Sequence, residues 1–185
     1  QSPIGKTARS NPVSYVGAWD EIRKLFADAP IARERSYTAG MFSFNAGDGR
    51  CPSCGGSGFE HVEMQFLSDV YLRCPDCDGK RFRPQVLEVR YKGRNVHEVL
   101  DLTVREALTF FSSSPKVLRR LQVLDEIGLG YIRLGQPATT LSGGEAQRIN
   151  LATSLGSALV GTLYVLDEPS IGLHTRDNQR LIDIL

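Results

Sequence analysis

The chain has 185 residues, of which 41% are hydrophobic and 23% charged, and its formal net charge is +1 at pH 7. This length suffices for one domain or slightly more, with an apolar core, and the composition is that of a soluble globular protein. No apolar run approaches the ~20 residues of a membrane-spanning helix, no signal peptide is visible, and the near-neutral charge confines any nucleic-acid binding to local patches.

The first fifty residues predict a loop, a helix and a short strand. Because the chain begins without Met and ends within an apolar pattern, we expect a piece of a longer protein. We also expect that protein to be cytoplasmic. Residues 1–11 are loop-like, and Gly5-Lys6-Thr7 imitates the end of a phosphate-binding P-loop without the glycine and strand that such a loop needs before it. Apolar side chains at helical spacing over residues 15–26 predict a helix that Pro30 ends. Residues 41–44 predict a short strand.

The four cysteines of the chain form two Cys-x-x-Cys pairs. Residues 55–73 separate them, a spacing that matches the four-cysteine zinc pattern, and glycines after each pair allow backbone N–H groups to turn toward the sulfurs. Disulfides and a redox pair are the alternatives; a cytosolic setting disfavours the first and the matched duplication disfavours the second. We predict a structural Zn²⁺ with closed coordination that holds shape and performs no hydrolysis, bound by Cys51, Cys54, Cys74 and Cys77.

A hairpin and a basic run follow from the residues between and after the cysteine pairs. Residues 61–67 and 70–72 alternate enough to predict a β-hairpin. Lys80, Arg81 and Arg83 open the densest positive run of the chain, in which aromatic residues are interleaved. Such a run suits sequence-independent contacts with DNA phosphates, and it equally suits a solvated face of a small hairpin, so charge alone leaves both open.

One strand and two helices are predicted over the next forty residues. Residues 86–91 alternate as a strand, with a turn after it. Thr103 caps the first helix and Glu106 completes its capping box. Ser114-Pro115 opens the second helix, and Gly128 ends it. The apolar stripes of both helices predict packing in a core or against a partner helix.

The stretch from residue 141 to residue 174 carries the pattern of nucleotide chemistry. Ser142 can cap a helix, with Glu145 completing the capping box, and Gly143 and Gly144 leave the backbone bare. Backbone N–H groups and the helix dipole favour a phosphate there. A later apolar run, too short for a helix, predicts a buried parallel strand. Two carboxylates follow it, where open α/β sheets bind ligands, although such a pair can also merely end a strand and cap a helix: Asp167 and Glu168.

These motifs resemble a known family. LSGGEAQR, residues 141–148, resembles the signature motif of ATP-binding cassette ATPases, residues 163–168 resemble their Walker B strand, and residues 171–174 their D-loop. The fuller string through LYVLDEPSIGLH, the QSPIG loop and the CPSCGG…CPDCDGK module resemble the UvrA family of bacterial nucleotide excision repair. Residues 1–150 resemble its second nucleotide-binding half. The sequence after residue 150 looks more like the first half, which leaves open a paralogue linked to drug self-resistance.

The resemblance implies an α/β fold, namely a partial ATP-binding cassette with an inserted zinc-binding β-hairpin module. Residues 1–49 would begin the signature domain after the Q-loop, and residues 50–95 would form the zinc module. Residues 96–160 would form the helical signature subdomain, and residues 161–185 would hold the Walker B strand, the D-loop and the start of the next helix.

The resemblance also implies roles for individual residues. Asp167 would help to hold Mg²⁺, and Glu168 would orient or activate the attacking water. Gln1 would sense both, although a surface loop at the terminus explains it equally well. The ATP held by the opposite nucleotide-binding half would be contacted through its γ-phosphate by the start of the signature helix: Ser142, Gly143, Gly144 and Glu145.

The implied partners are damaged double-stranded DNA, UvrB and, for the full-length protein, a second copy of itself. Lys80, Arg81 and Arg83 would contact DNA, since the zinc module of this family lies near its DNA-binding surface. Neither a Walker A loop nor the switch histidine occurs in these 185 residues. We therefore predict an ATPase whose 185-residue piece alone binds ATP weakly and does not hydrolyse it. A zinc-containing DNA- or protein-binding module without activity is the alternative from another class; a chaperone-type zinc domain would leave LSGGEAQR unexplained.

Overall fold

The computed structural model describes residues 9–62 and 70–156. Within those ranges it has eight α-helices, two 3₁₀ helices and one two-stranded antiparallel sheet. Of the described residues, those up to 19 and those from 101 onward form one compact unit, and residues 20–100 form the other. None of the helices in the described part is long and apolar enough to cross a membrane.

The helices and strands are short and follow one another closely along the chain. In chain order, the helices are α1 (Pro12–Tyr15), α2 (Ala18–Ala27), α3 (Pro30–Glu34), α4 (Pro84–Leu87), α5 (Val96–Leu100), α6 (Val104–Phe110), α7 (Pro115–Glu126) and α8 (Gly143–Gly156). The strands are β1 (Phe59–Val62) and β2 (Val70–Arg73), and the 3₁₀ helices are Ala39–Phe42 and Ala138–Thr140.

The predicted helix over residues 15–26 is present as α2, which begins later than predicted, at Ala18, whereas Tyr15 ends the separate helix α1. Gly17 separates them with a φ of +70°, a left-handed conformation that a helix interior does not accept. Asn11 caps α1, its side-chain oxygen accepting a hydrogen bond of 3.1 Å from the backbone N–H of Ser14. The prediction that Pro30 ends the helix is wrong, because α2 ends at Ala27 and Pro30 is the first residue of α3. Proline suits that position, where no N–H is needed.

The first unit has its core between α6, α7 and the loop that follows α7. The capping box of α6 is confirmed: the hydroxyl of Thr103 accepts from the N–H of Glu106 at 3.3 Å, and the Glu106 carboxylate accepts from the N–H of Thr103 at 2.8 Å. Pro115 opens α7, and Gly128 follows its end with a φ of +79°. Apolar side chains from these segments are buried, among them Val104, Ala107, Phe111, Val117, Leu121, Leu124, Leu129, Ile132 and Leu134.

Two predicted strands of the second unit are absent. Residues 39–42 form a 3₁₀ helix, so the predicted strand over residues 41–44 is wrong. The predicted strand over residues 86–91 is also wrong, because α4 begins with Pro84 and turns the chain. Val86 and Val89, three residues apart, are both fully buried, as one side of a helical turn allows and an alternating strand does not. The predicted turn after residue 91 is confirmed by a bridge between Tyr91 and Arg94.

The predicted β-hairpin is confirmed between the cysteine pairs. β1 pairs antiparallel with β2, in a register that places Phe59 opposite Arg73 and Val62 opposite Val70. Residues 63–67 of the predicted hairpin, and the segment that joins its two strands, lie outside the described residues. All four residues of β2 are exposed, so the hairpin stands apart from the apolar core, and Cys74 follows it directly.

Candidate metal centre and capped glycine helix

The four cysteine sulfurs converge in the second unit. They all lie within 4.8 Å of one another, with Sγ–Sγ distances of 4.0 Å between Cys51 and Cys74 and 3.7 Å between Cys54 and Cys77. Four sulfurs bonded to one tetrahedral Zn²⁺ at ~2.3 Å would lie about 3.8 Å apart. All four residues are free cysteines, so no disulfide competes for them. The cluster could therefore hold a metal ion.

Backbone hydrogen bonds close the module that carries these cysteines. The N–H of Cys51 donates to the carbonyl of Arg81 at 2.8 Å, and the N–H of Arg83 donates to the carbonyl of Gly49 at 2.9 Å. These bonds flank an antiparallel β-bridge between residues 50 and 82, so the two ends of the module lie side by side. At the hairpin end, the N–H of Cys74 donates to the carbonyl of Gly58 at 3.1 Å. The spacing of the sulfurs is thus fixed by the backbone on both sides.

A tight turn follows each cysteine pair. Gly55 and Gly56 have φ values of +57° and +88°, and Asp78 and Gly79 have values of +48° and +75°. Such left-handed residues turn the next N–H groups back toward the preceding sulfurs. The N–H of Gly58 donates to Sγ of Cys54 at 3.3 Å, as the glycines after the first pair predicted.

The ionisation of the thiols depends on burial and on these N–H donors. Burial raises the pKa of Cys77 to about 12 and also raises the pKa of Cys74. Burial acts in the same direction on Cys54, but hydrogen bonds together outweigh it and lower its pKa, the foremost of them from the N–H groups of Gly58 and Gly56 and the others with the Cys77 and Cys51 side chains. A bound cation would favour the thiolate form of all four residues, and the N–H donors would then stabilise the sulfur charge.

The predicted cap of α8 is confirmed. The hydroxyl of Ser142 accepts from the N–H of Glu145 at 3.2 Å, and the Glu145 carboxylate accepts from the N–H of Ser142 at 2.8 Å. Ser142 and Gly143 are exposed, and a methyl group on Gly143 would meet no described atom within 4 Å. The start of the 14-residue helix therefore presents bare backbone to open space.

Two residues around this cap were not predicted from the sequence. The hydroxyl of Tyr131 donates to Oε1 of Glu145 at 2.6 Å. Arg148 is buried, and its guanidinium donates to the carbonyl of Ile127 at 3.4 Å and to that of Gly144 at 3.4 Å. No spacing rule connects Tyr131 with Glu145, whereas Arg148 lies inside the LSGGEAQR motif and could have been considered.

The groups around Glu145 favour the ionised form of its side chain. Burial raises its pKa, but the hydrogen bonds with Tyr131 and Ser142, together with the positive charge of Arg148, have the larger combined effect, and the pKa is lowered. Burial and the hydrogen bond to Glu145 raise the pKa of Tyr131, which keeps its hydroxyl a donor. The start of α8 is thus tied to the loop after α7 by a charge-assisted hydrogen bond.

The three basic residues predicted to contact DNA occupy different positions. Lys80 and Arg83 are exposed. Arg81 requires a correction, since its side chain is only 5% exposed and its guanidinium lies 5.5 Å from the centre of the Phe44 ring. Its φ of +71° and its carbonyl bond to Cys51 turn the side chain into the module. A buried guanidinium does not fit the predicted contact with DNA phosphates.

The remaining predicted site residues are Gln1, Asp167 and Glu168, which lie outside the described residues. Their roles stay predictions.

The fold and the site define a mainly helical protein that has a four-cysteine module and a helix that begins with two glycines and is capped by a serine. No protein-family model matches the chain. It is 57% identical over 186 residues to UvrABC system protein A of Methanothermobacter thermautotrophicus, covering 100% of the chain and 19% of that protein. UvrABC system protein A of Thermus thermophilus is 55% identical, at 100% and 20% coverage.

A solved structure is similar as well. The crystal structure of UvrA2 from Deinococcus radiodurans superposes with a TM-score of 0.94 at 54% identity, over 99% of this chain and 22% of that one. Along its whole length the chain is thus similar to a segment of UvrA proteins, and it spans about a fifth of the length of the curated relatives it matches.

Proposed function

We propose that the chain is a segment of a UvrA-type, DNA-dependent ATPase that recognises damaged DNA in nucleotide excision repair. The observation that supports this proposal most strongly is the identity of 55–57% along the whole chain with UvrABC system protein A. In the full-length protein, two composite ATP sites form between nucleotide-binding halves, two copies associate, and UvrB receives the damaged site. The nucleotide state alters the affinity for DNA.

Within this proposal, α6, α7 and α8 belong to the helical signature subdomain of an ATP-binding cassette. Residues 50–95 form its inserted zinc module, and residues 161–185 supply the Walker B strand and the D-loop. The α/β core of the cassette would be completed by parts of the full-length protein. The helix-rich character of the described residues agrees with this division.

The start of α8 serves as the ATP contact in this proposal. Ser142 and Gly143 are exposed there, and the N–H groups of a first helical turn attract phosphate oxygens. The ATP is held by the opposite half, so this helix end adds charge stabilisation to the γ-phosphate, together with Gly144 and Glu145. Asp167 holds Mg²⁺, Glu168 orients the attacking water and Gln1 senses both, by the family pattern of phosphoryl transfer.

The four cysteines hold a structural Zn²⁺ in this proposal. The support is the fit of the sulfur distances and the backbone donors around them. When bound, the ion supplies cross-linking of the two cysteine pairs and no hydrolytic chemistry, since four thiolates leave no open coordination position. The module then has a fixed surface on which Lys80 and Arg83 contact the phosphates of duplex DNA.

ATP hydrolysis by the full-length protein tests the proposal. Glu168→Gln is expected to lower kcat by about 100-fold or more, because a positioned base or water-orienting group contributes that much. Ser142→Ala is expected to lower it as well, whereas Tyr37→Phe, in the other unit, serves as a control that leaves it unchanged. Undiminished turnover in Glu168→Gln would remove the ATPase assignment. The 185-residue chain on its own is expected to show no turnover.

A paralogue that protects against a DNA-binding drug is the second candidate. The sequence after residue 150, which looks more like the first half of the family, leaves this candidate open, and the identities of 54% to the UvrA2 structure and 55% to UvrABC system protein A of Thermus thermophilus do not distinguish the two candidates. Expression of the full-length gene in a strain that lacks its own UvrA separates the two. Restored survival after ultraviolet irradiation supports the repair protein, and drug protection without it supports the paralogue.

A further inference from the structure

The hydroxyl of Tyr131 connects the loop after α7 to the cap of α8. It donates at 2.6 Å to one oxygen of Glu145, and the other oxygen of that carboxylate accepts from the N–H of Ser142 at 2.8 Å. A carboxylate that accepts one bond inside the helix and one from outside it can move in neither direction without losing a bond. Charge-assisted bonds of this kind are about twice as strong as neutral ones.

The loop that carries Tyr131 is itself held firmly. The N–H of Arg105 donates to the carbonyl of Gly130 at 3.1 Å, and the side chain of Arg105 donates to Asp125 at 3.1 Å. These groups approach Gly130 so closely that a Cβ atom there would lie 2.1 Å from a carboxylate oxygen of Asp125. Tyr131 therefore starts from a fixed backbone position, which is what a residue needs if it is to position another.

Arg148 adds a second connection between the same two segments. Its guanidinium bonds to the carbonyl of Ile127 at the end of α7 and to the carbonyl of Gly144 in the first turn of α8, each at 3.4 Å. Because the side chain is buried, water does not compete for these hydrogen bonds. The start of α8 is consequently fixed from both sides of its first turn.

A capping box needs only bonds within its own helix, such as those that the Glu106 carboxylate of α6 accepts from the N–H and the hydroxyl of Thr103 at 2.8 and 2.9 Å. At α8 the tyrosine adds a bond from 14 residues earlier in the chain. The extra bond coincides with the helix start that carries bare, exposed glycine.

We propose that Tyr131 is a positioning residue for the ATP contact, which it serves by holding Glu145 and, through it, the backbone of Ser142 and Gly143. This inference rests on the proposed function, because it assumes that the start of α8 faces a γ-phosphate. Tyr131 itself touches no nucleotide. Its contribution is the fixed direction of the N–H groups, which matters most when the phosphate is reacting.

The test measures steady-state ATP hydrolysis by the full-length protein with Tyr131→Phe, Glu145→Ala and the double variant. Removal of the hydroxyl is expected to lower kcat by about 10-fold or more, the low end of what loss of a hydrogen bond to a charged group costs. KM for ATP is expected to change by less than about twofold, since the opposite half holds most of the nucleotide. In the Glu145→Ala background, Tyr131→Phe is expected to have no further effect, because the two residues act as one pair.

The controls separate this inference from the proposed function. Tyr37→Phe removes a phenolic hydroxyl in the other unit and is expected to leave kcat unchanged. If Ser142→Ala lowers kcat and Tyr131→Phe does not, the positioning role is refuted and the ATP contact stands. If Tyr131→Phe lowers kcat equally with and without Glu145, its effect runs by another route and the inference is refuted. If Ser142→Ala has no effect, the ATP contact itself is refuted, and the positioning role with it.

Discussion

Replacement of Gly56 by alanine is expected to destabilise the cysteine module far more than the same replacement of Gly55. The two glycines are neighbours, and both have positive φ values, +57° at Gly55 and +88° at Gly56. Their surroundings differ. A Cβ atom at Gly55 would meet nothing within 4 Å, whereas a Cβ atom at Gly56 would lie 2.2 Å from the carbonyl oxygen of Phe44 and 3.0 Å from its carbon. A comparison of the two alanine variants therefore distinguishes the cost of backbone strain, which both share, from the cost of a steric clash, which only Gly56→Ala has.

The magnitude follows from those two terms. Holding alanine in the left-handed region costs about 1 kcal/mol at either position. At Gly56, the backbone must also retreat by about 1 Å from a carbonyl that cannot rotate away, and forced shifts of this kind in packed regions cost about 1–3 kcal/mol. We expect about 1 kcal/mol for Gly55→Ala and about 3 kcal/mol for Gly56→Ala. The retreat would also displace the Gly56 N–H that donates to Cys54, so metal retention falls with stability.

Urea denaturation of the zinc-loaded chain measures this difference, with circular dichroism for the fold and a chromogenic chelator for released metal. The Gly56→Ala variant is expected to release zinc at a clearly lower urea concentration than Gly55→Ala, which remains near the unsubstituted chain. Equal midpoints for the two variants would show that the approach of the Phe44 carbonyl does not constrain the turn. Such a result would refute the expected difference between the two glycines, even if both variants were destabilised.

Three further predictions concern the metal, the basic residues and the capped helix. Cys77→Ser is expected to reduce bound zinc, measured by elemental analysis, from about one ion per chain to about none, because three thiolates no longer close a tetrahedron; retention of one ion would argue against the four-cysteine site. Lys80→Ala with Arg83→Ala is expected to weaken duplex DNA binding by the full-length protein and to reduce the slope of log K against log salt by about 2, at ~0.9 per phosphate contact. The charge-matched pair Lys24→Ala with Arg33→Ala is expected to leave that slope unchanged. Because the pKa of Glu145 lies below its ordinary 4.5, its carboxylate stabilises the fold above that pH, and the stabilisation is lost as the pH falls through the lowered value. Glu145→Gln is expected to flatten this acid dependence in pH-dependent denaturation, and an unchanged dependence would contradict the assigned role.

Local signals in the sequence predicted the starts of α6 and α8, both ends of α7 and the convergence of the four cysteine sulfurs. The capping boxes at Thr103 and Ser142 require only two residues three positions apart, and both are present as predicted. Pro115 and Gly128 act on the backbone at their own positions, so their effect does not depend on distant packing. The cysteine spacing similarly specified which four sulfurs meet. In each case the information needed lies within a few residues of the chain, or in the known spacing of paired cysteines.

Packing against distant residues decided what the sequence pattern left ambiguous. Residues 86–91 have alternating apolar side chains, yet Val86 and Val89 also fit one side of a helical turn. Pro84 at the start of α4 favours the helical alternative. Short apolar runs fit both periods, and burial then selects between them. The contact of Tyr131 with Glu145 has the same origin, since it depends on where the loop after α7 lies.

The basic run shows why charge along a sequence does not define a charged surface. In a regular strand, Arg81 and Phe82 would point to opposite sides, and one of them would be exposed. The φ of +71° at Arg81 interrupts that alternation, and both side chains are buried. The guanidinium lies over the Phe44 ring, where its charge interacts with the ring while the backbone carbonyl of the same residue closes the module through Cys51. One residue of the predicted DNA contact thus maintains the shape of the module that presents the other two, Lys80 and Arg83.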